Sequence, residues 1–209
     1  MSRSTRSVAV STPTAALRTA DAPLAWRELS AEIRGCRLCR LHESRTQAVV
    51  YRGGLSPRLL FVGEAPGVAE DRAGLPFVGR SGQRLDAAVA HLGLTDEEYG
   101  VLNLLKCHPP ENRFDRDAAS TCRPYLDRQI AFLSPRSLVT LGSQAFHAFA
   151  PEGPPILVAA GRPHRGAVLP LFPLIHPAAA MRSRRLALRW SQDIDALGRW
   201  LRRGAAQPV

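Results

Sequence analysis

The sequence has no apolar run near the ~18 consecutive residues that a membrane-spanning helix requires, so no such helix is predicted. It has no acidic residue before Asp21, and no apolar segment there is long enough for a secretory signal. We expect residues 1–21, rich in Ser, Thr, Ala and Arg, to form a disordered tail, although organellar transit peptides have a similar composition. The absence of G-K-[ST] and of G-x-G-x-x-G excludes a P-loop and a dinucleotide fingerprint.

Lysine is almost absent as well, because Lys106 is the only lysine among the 28 basic residues. The net charge is nevertheless +10, which favours a polyanionic partner, either nucleic acid or an anionic membrane surface. With 45% hydrophobic residues in 209, the chain can form one domain with a real core. We expect that domain to span residues 22–203 and to be followed by a short tail, 204–209.

Segments with helical spacing alternate with short apolar segments typical of buried strands. Helices are predicted over 24–34, 82–92, 117–133, 143–149 and 184–203, and strands over 58–63, 101–105, 137–141 and within 166–175. In the second helix, Ser81 is the expected N-cap and Gly93 the expected stop. The alternation favours an α/β domain with a largely parallel sheet.

Three unusual loops, 63–82, 106–113 and 176–182, follow predicted strands, where the sites of parallel sheets form. The first is the longest, and such loops are usually functional. Glu64 stands where the strand ends, so its side chain either enters a cleft or accepts hydrogen bonds from loop amides. Phe77, between Pro76 and Val78, is either a core residue or part of a site.

The four cysteines form two pairs, Cys36 with Cys39 in C-x2-C spacing and Cys107 with Cys122 further apart. A C-x2-C turn presents two thiolates to one centre, so a four-thiolate metal site is predicted. Disulfides and unliganded core cysteines are the alternatives. Nothing indicates secretion, and we expect a cytoplasmic protein, where disulfides are disfavoured. Spacing does not separate zinc from a [4Fe–4S] cluster, but the lack of a second C-x2-C favours iron–sulfur.

Several motifs occur in a fixed order along the chain: GEAPG (63–67), ED (70–71), G-x-PFVG-x-x-G (74–82), N-x-x-KC-x-PP-x-NR (103–113), Cys122 and HPAA-x-x-R (176–182). Together they resemble the family 4 uracil-DNA glycosylases. The resemblance implies a three-layer α/β/α fold with a central four-stranded, mostly parallel sheet. It also implies a [4Fe–4S] cluster on the four cysteines, and hydrolysis of the N-glycosidic bond of deoxyuridine in DNA during base excision repair.

The resemblance assigns a role to each matching residue. Glu64 corresponds to the carboxylate that positions or activates water and stabilises positive charge on the sugar, and His176 to the histidine beside uracil O2. Phe77 corresponds to the aromatic residue that stacks on uracil, and Asn103 to the amide that reads its edge. Two further polar residues are expected to line the same pocket: Glu70 and Asn112.

A glycosylase of this kind must hold DNA phosphates while the base is flipped into the pocket. Arg182, Arg184 and Arg185 follow His176 directly, and we expect them to form a basic wall with Arg113 on uracil-containing DNA. Backbone amides at Gly142-Ser143, at the start of a predicted helix, are a second candidate for phosphate contact. The alternative is that the arginines form a solvated helix face. We expect a monomer.

Two other functions remain open at this stage. One is a non-hydrolytic or covalent uracil-DNA-binding protein of the UdgX type, which carries a basic insertion with a nucleophilic histidine after the second strand. The corresponding segment here, KCHPPENR, has no such insertion, so His108 is interpreted as a loop residue. The other is a metal-stapled structural module whose acidic loop only binds backbone.

Overall fold

The computed structural model describes residues 23–205. The predicted tail at 1–21 and the last four residues lie outside this range. Within it, one mixed sheet contains six strands: β1 (Arg52–Gly53), β2 (Leu59–Gly63), β3 (Tyr99–Asn103), β4 (Ser137–Leu141), β5 (His164–Arg165) and β6 (Pro170–Leu174). The strand order is β1-β3-β2-β4-β6-β5, and the four central strands are parallel. The predicted four-stranded parallel sheet is confirmed, with a two-residue antiparallel strand added at each edge.

Nine α-helices surround the sheet in the described part of the chain: α1 (Leu24–Gly35), α2 (Leu41–Ser44), α3 (Val68–Ala73), α4 (Arg80–His91), α5 (Arg116–Leu133), α6 (Ser143–His147), α7 (Ile156–Ala159), α8 (Pro177–Ala180) and α9 (Arg184–Arg202). None of these helices is long and apolar enough to cross a membrane. The helices lie on both faces of the sheet, which gives three layers.

The side chains of the buried strand β2 point alternately to the two faces of the sheet, and this explains the layers. Leu59 and Phe61 pack on one face, in a cluster with apolar residues of α4 and α9. Leu60 and Val62 point to the other face, where they join a cluster formed with α1 and α5. Because successive side chains of a strand point to opposite faces, a strand buried on both sides is apolar throughout. The predicted α/β class is therefore confirmed.

Three boundary predictions are wrong. The helix expected to start after Ser81 begins at Arg80, and Gly79 is its N-cap, because the Gly79 and Val78 amides are already bound by the Glu70 carboxylate. The segment 63–82 is not a loop throughout, because α3 forms within it.

The strand expected at 101–105 is β3, which lies two residues earlier. Tyr99 pairs with Leu59 of β2, and Gly100 pairs with both β1 and β2. Beyond the strand, the Leu104 and Leu105 amides donate to the carbonyls of Gly63 and Glu64. These two bonds hold the ends of β2 and β3 together at the edge of the sheet where the site forms.

Candidate active site

A cleft of about 660 Å³ opens at the carboxyl edge of the parallel strands, a size typical of small-molecule sites. It brings together the six residues expected in the uracil pocket and one of the expected DNA-contacting arginines: Glu64, Glu70, Phe77, Asn103, Asn112, His176 and Arg182. These residues come from four separate segments of the chain. The segments follow β2, β3 and β6, which are parallel, so they meet at the same edge of the sheet.

Asn103 forms part of the cleft wall at the end of β3. The residue is only 1% exposed, and neither its side-chain amide oxygen nor its amide nitrogen has a hydrogen-bond partner among residues 23–205. A Cβ atom placed on Gly63 would lie 2.6 Å from the Phe77 ring and would also overlap Asn103 Oδ1. Glycine at this position therefore allows the amide and the aromatic ring to approach each other over the end of β2. Because buried carboxamides are almost always hydrogen-bonded, an unpaired one facing a cleft indicates that its partner is a ligand.

Phe77 is held in a strained backbone conformation, with φ +54°. Left-handed φ values are uncommon for a bulky residue and mark positions that the surrounding structure enforces. A Cβ on Gly82 would overlap the Phe77 carbonyl oxygen, so the first turn of α4 packs directly on this turn. The Phe77 ring is buried in the core and also lines the cleft, 5.9 Å from the His176 ring between centroids.

Glu70 organises the turn that carries Phe77. Its Oε1 accepts from the amides of Val78 (3.0 Å) and Gly79 (2.8 Å), and its Oε2 accepts from the amide of Gly67 (3.1 Å). The carboxylate lines the cleft as expected, but both of its oxygens are engaged by the backbone. Its contribution to the site is therefore to fix the loop.

Glu64 follows β2 directly and is half-buried at the cleft. No amide among residues 23–205 donates to its carboxylate, which contradicts the alternative in which it only binds loop backbone. Burial raises its pKa above the usual range for a glutamate. Glu64 therefore presents a carboxyl group with free acceptor capacity to whatever occupies the cleft.

His176 is the N-cap of α8, and its Nδ1 accepts a hydrogen bond from the Ala178 amide at 3.2 Å. This bond places the ring proton on Nε2, which leaves Nε2–H as a donor. Burial, assisted by Arg182 and opposed by Glu70, lowers the pKa of His176 to about 4. The ring is therefore a neutral hydrogen-bond donor at pH 7. Gly142 lies against it, since a Cβ there would be 3.2 Å from the His176 Cβ.

The remaining predicted residues lie at or beyond the rim. Asn112 is exposed and follows Glu111 in a 3₁₀ turn in which both residues have left-handed φ values. Arg113 lines a neighbouring groove that shares Pro109 with the cleft. Ser143 is exposed at the start of the five-residue helix α6, outside the cleft lining.

The basic segment after His176 forms the start of α9. Arg182 lines the cleft, while Arg184 and Arg185 are exposed in the first helical turn and do not line it. That turn contains no acidic residue, and Ser183 provides the cap. Cations at a helix N-terminus are unfavourable with respect to the helix dipole. The segment therefore concentrates positive charge beside the cleft at an energetic cost.

All four cysteines line a single small cavity, which shares no lining residue with the cleft. Cys36 and Cys39 flank the turn between α1 and α2, Cys107 follows β3 and Cys122 lies in α5. They are free thiols, so the disulfide alternative is wrong. Among residues 23–205, no three His, Cys, Asp or Glu side chains are grouped closely enough to hold a metal ion.

A hydrogen-bond donor is directed at one of these sulfurs, because Arg45 Nη1 donates to Cys107 Sγ at 2.9 Å. Four thiols around one cavity, with a donor already directed at Cys107, are the donor set of a polynuclear thiolate-ligated group, and four thiolates also bind a single zinc ion.

Lys106 is a site residue whose role the sequence did not reveal. It lines the cysteine cavity at only 1% exposure, and its Nζ donates to the Asn103 carbonyl oxygen at 2.6 Å. Burial lowers its pKa to about 8. Lys106 is the only lysine in an arginine-rich chain, and this exception could have pointed to it in the sequence.

Comparison with known proteins agrees with this geometry. Residues 50–197 match the family described as "Uracil DNA glycosylase superfamily". The Type-4 uracil-DNA glycosylase of Sulfurisphaera tokodaii is 36% identical over 164 residues, 74% of each chain. Those of Thermotoga maritima and Archaeoglobus fulgidus are each 35% identical, over 77% and 80% of this chain and 85% and 88% of their own lengths. The chain belongs to the uracil-DNA glycosylase superfamily and, within it, to the type 4 family.

Proposed function

We propose that the protein hydrolyses the N-glycosidic bond of deoxyuridine in DNA, releasing uracil and leaving an abasic site in base excision repair. The observation that carries this conclusion is the Asn103 carboxamide, buried in the cleft wall with both polar atoms unpaired. One carboxamide can accept from uracil N3–H and donate to O4 at the same time. Cytosine offers the opposite pattern at these positions, so the amide orientation in which Oδ1 faces N3 and Nδ2 faces O4 leaves cytosine unpaired.

Breaking this bond builds positive charge on the sugar and negative charge on the departing base, by analogy with glycoside hydrolysis. Glu64 supplies a carboxylate with free acceptor capacity, which attracts the cation and orients the attacking water. His176 supplies a neutral Nε2–H donor for uracil O2, and one such preorganised donor is worth about 3 kcal/mol. Phe77 provides an aromatic face for stacking, worth roughly 1–3 kcal/mol per base.

The arginines around the cleft are proposed to hold the DNA. Arg182 stands at the cleft, Arg184 and Arg185 continue the same basic segment, and Arg113 lies in the adjoining groove. Ser143, next to Gly142, completes the set as a backbone donor to phosphate. The chain has a net charge of +10, and these arginines place positive charge beside the pocket. They would therefore bind the phosphates on either side of the flipped nucleotide. We further propose that the protein acts as a monomer in the cytoplasm.

The four cysteines are proposed to ligate a [4Fe–4S] cluster, the group that the family resemblance implies. When bound, it would supply a rigid covalent staple rather than chemistry, because hydrolysis of a glycosidic bond transfers no electrons. Cys36 and Cys39 would anchor the end of α1 to the β3 loop and α5 through Cys107 and Cys122. Cys107 lies on the same loop as Pro109 and Asn112, which line the cleft, so the cluster would also fix that loop.

The direct test is cleavage of an oligonucleotide that contains a single uracil, followed by hot alkali to break the strand at abasic sites. We expect a strand break at the uracil position and none in the matched oligonucleotide with thymine. Absence of a break at enzyme excess would overturn the proposed hydrolysis. A shifted, alkali-resistant protein–DNA band would instead indicate covalent binding of the UdgX type.

Replacing Asn103 by aspartate should reduce the preference for uracil over cytosine at least tenfold. A carboxylate accepts hydrogen bonds but cannot donate to uracil O4, and it can accept from the cytosine amino group. The measurement is single-turnover cleavage of matched uracil and cytosine oligonucleotides. Gln192→Glu, the same amide-to-acid change at an exposed position of α9 outside the cleft lining, should leave the ratio between the two bases unchanged. An unaltered ratio in Asn103→Asp would remove Asn103 from base recognition.

Protein purified without oxygen should be brown, with broad absorbance at about 400 nm from thiolate–iron charge transfer. Iron and acid-labile sulfide should be present in equal amounts, and Cys107→Ser should lose both the colour and thermal stability. Colourless protein with stoichiometric zinc would refute the cluster and leave the proposed glycosylase activity standing.

A further inference from the structure

Lys106 occupies a position where a cation is expensive. The chain uses arginine at every other basic position, yet its single lysine is the basic residue at 1% exposure. An ammonium is a compact charge on a flexible stem, whereas a guanidinium presents a planar fork of five donors that all need acceptors. The site therefore suits a lysine, because among the described residues only the Asn103 carbonyl oxygen accepts a hydrogen bond from the Lys106 ammonium.

The surroundings of Lys106 supply no ordinary counter-ion. Cys107 and Cys122 line the same cavity as Lys106, and no carboxylate in the described part of the chain forms an ion pair with it. A second cation, Arg45, donates to Cys107 Sγ at 2.9 Å. Buried charges are normally paired, and two cations directed at one group of thiols leave the positive charge unbalanced. Four thiolates holding an iron–sulfur core form an anion, which would restore the balance.

Lys106 also connects the cysteine cavity to the base-recognition residue. Its Nζ donates to the carbonyl oxygen of Asn103, and its own carbonyl accepts from the Val49 amide at 2.7 Å. The residue is thus held at two points, by the segment before β1 and by the end of β3. Cys107 follows it directly in the chain.

We propose that Lys106 is the buried counter-ion of the cluster on the four cysteines and a positioning residue for Asn103. Its positive charge stabilises the more reduced, more negative form of the cluster and protects it from oxidative loss. Its hydrogen bond fixes the strand end from which the Asn103 amide reads uracil. This inference rests on the proposed cluster, and its main readout does not require uracil excision.

The test compares Lys106→Gln, which loses the charge but keeps an N–H donor, with Lys106→Met, which loses both. Arg37→Met is the matched control, because it removes the same charge from an exposed residue between Cys36 and Cys39. Both Lys106 variants should shift the cluster midpoint potential to a more negative value and bleach severalfold faster in air. Arg37→Met should stay close to wild type, because water screens an exposed charge.

Uracil cleavage kinetics separate the second role. Lys106→Met should raise KM more than Lys106→Gln, with a smaller effect on kcat, because misplacing Asn103 removes binding shared by ground and transition states. A wild-type KM in Lys106→Met would overturn the positioning role. Wild-type potential and bleaching rate in both Lys106 variants would overturn the counter-ion role.

Two further outcomes are decisive. If the wild-type protein holds no cluster, the inference is overturned. The proposed uracil excision is then tested separately by the alkali cleavage assay. If neither Lys106 variant yields folded loaded protein while Arg37→Met does, Lys106→Arg is measured. A brown Lys106→Arg with the wild-type potential supports a requirement for charge, and a brown Lys106→Arg with a more negative potential overturns it.

Discussion

Replacing Glu64 by glutamine should lower the rate of uracil excision by about 100-fold or more, the range typical of positioned acid–base groups. Glutamine keeps the shape of the side chain but removes the negative charge that faces the sugar cation and orients water. Binding of uracil-containing DNA should change little, because the Glu64 carboxylate has no hydrogen-bond partner within residues 23–205. The measurement is single-turnover cleavage, together with DNA affinity of the variant.

Glu152→Gln is the matched control for this experiment. Glu152 is an exposed carboxylate outside the cleft lining, so its loss removes the same charge without touching the site. Equal rates for Glu64→Gln and Glu152→Gln would show that Glu64 has no part in the reaction. The pH dependence gives a second readout. Burial raises the Glu64 pKa, so the acid limb of the rate profile should lie above the pH of an ordinary glutamate and disappear in Glu64→Gln.

Replacing His176 by alanine should lower kcat by about 100- to 1000-fold, the cost of losing one preorganised donor to a developing anion. The Nε2–H donor acts mainly on the departing uracil, so the loss should appear in kcat more than in DNA affinity. Single-turnover kinetics measure this directly. His91→Ala, at the exposed end of α4 and outside the cleft lining, should behave as wild type. A similar rate for both variants would contradict the assigned role.

The low pKa of His176 adds a stability prediction with a definite sign. Its folded-state pKa of about 4 lies below the unfolded value of about 6.5. The unfolded chain therefore binds the proton more readily, so the stability contributed by neutral His176 is present at pH 7. That contribution decreases as the pH falls from about 6.5 towards 4. NMR titration should find His176 neutral at pH 6, and His176→Ala should flatten this part of the stability profile.

Much of the fold could be predicted because burial dictates it locally. The continuous apolar run of β2 and the amphipathic pattern of α9 each specify their element, and both were predicted within two residues. The start of α4 could not be found in the same way. It depends on Glu70 binding the Val78 and Gly79 amides, and a contact across eight or nine residues leaves no trace in helical periodicity.

The candidate site divides along similar lines. The motifs identified the residues that line the cleft, and the strand order brings them together as expected. The strain at Phe77 and the occupied oxygens of Glu70 depend on backbone geometry that residue types alone do not encode. Arg184 and Arg185 follow the pocket in sequence but lie outside its lining, because α9 begins there and turns its first residues to solvent. Their contact with DNA stays a prediction.

The two shortest strands have a consequence for the solution behaviour of the protein. β1 and β5 each pair for only two residues, and they border the outer strands β3 and β6 in antiparallel orientation. Long, flat, unpaired edges act as templates for strand addition and aggregation. Here each edge strand pairs for only two residues, so the sheet offers little backbone for strand addition by a neighbouring molecule.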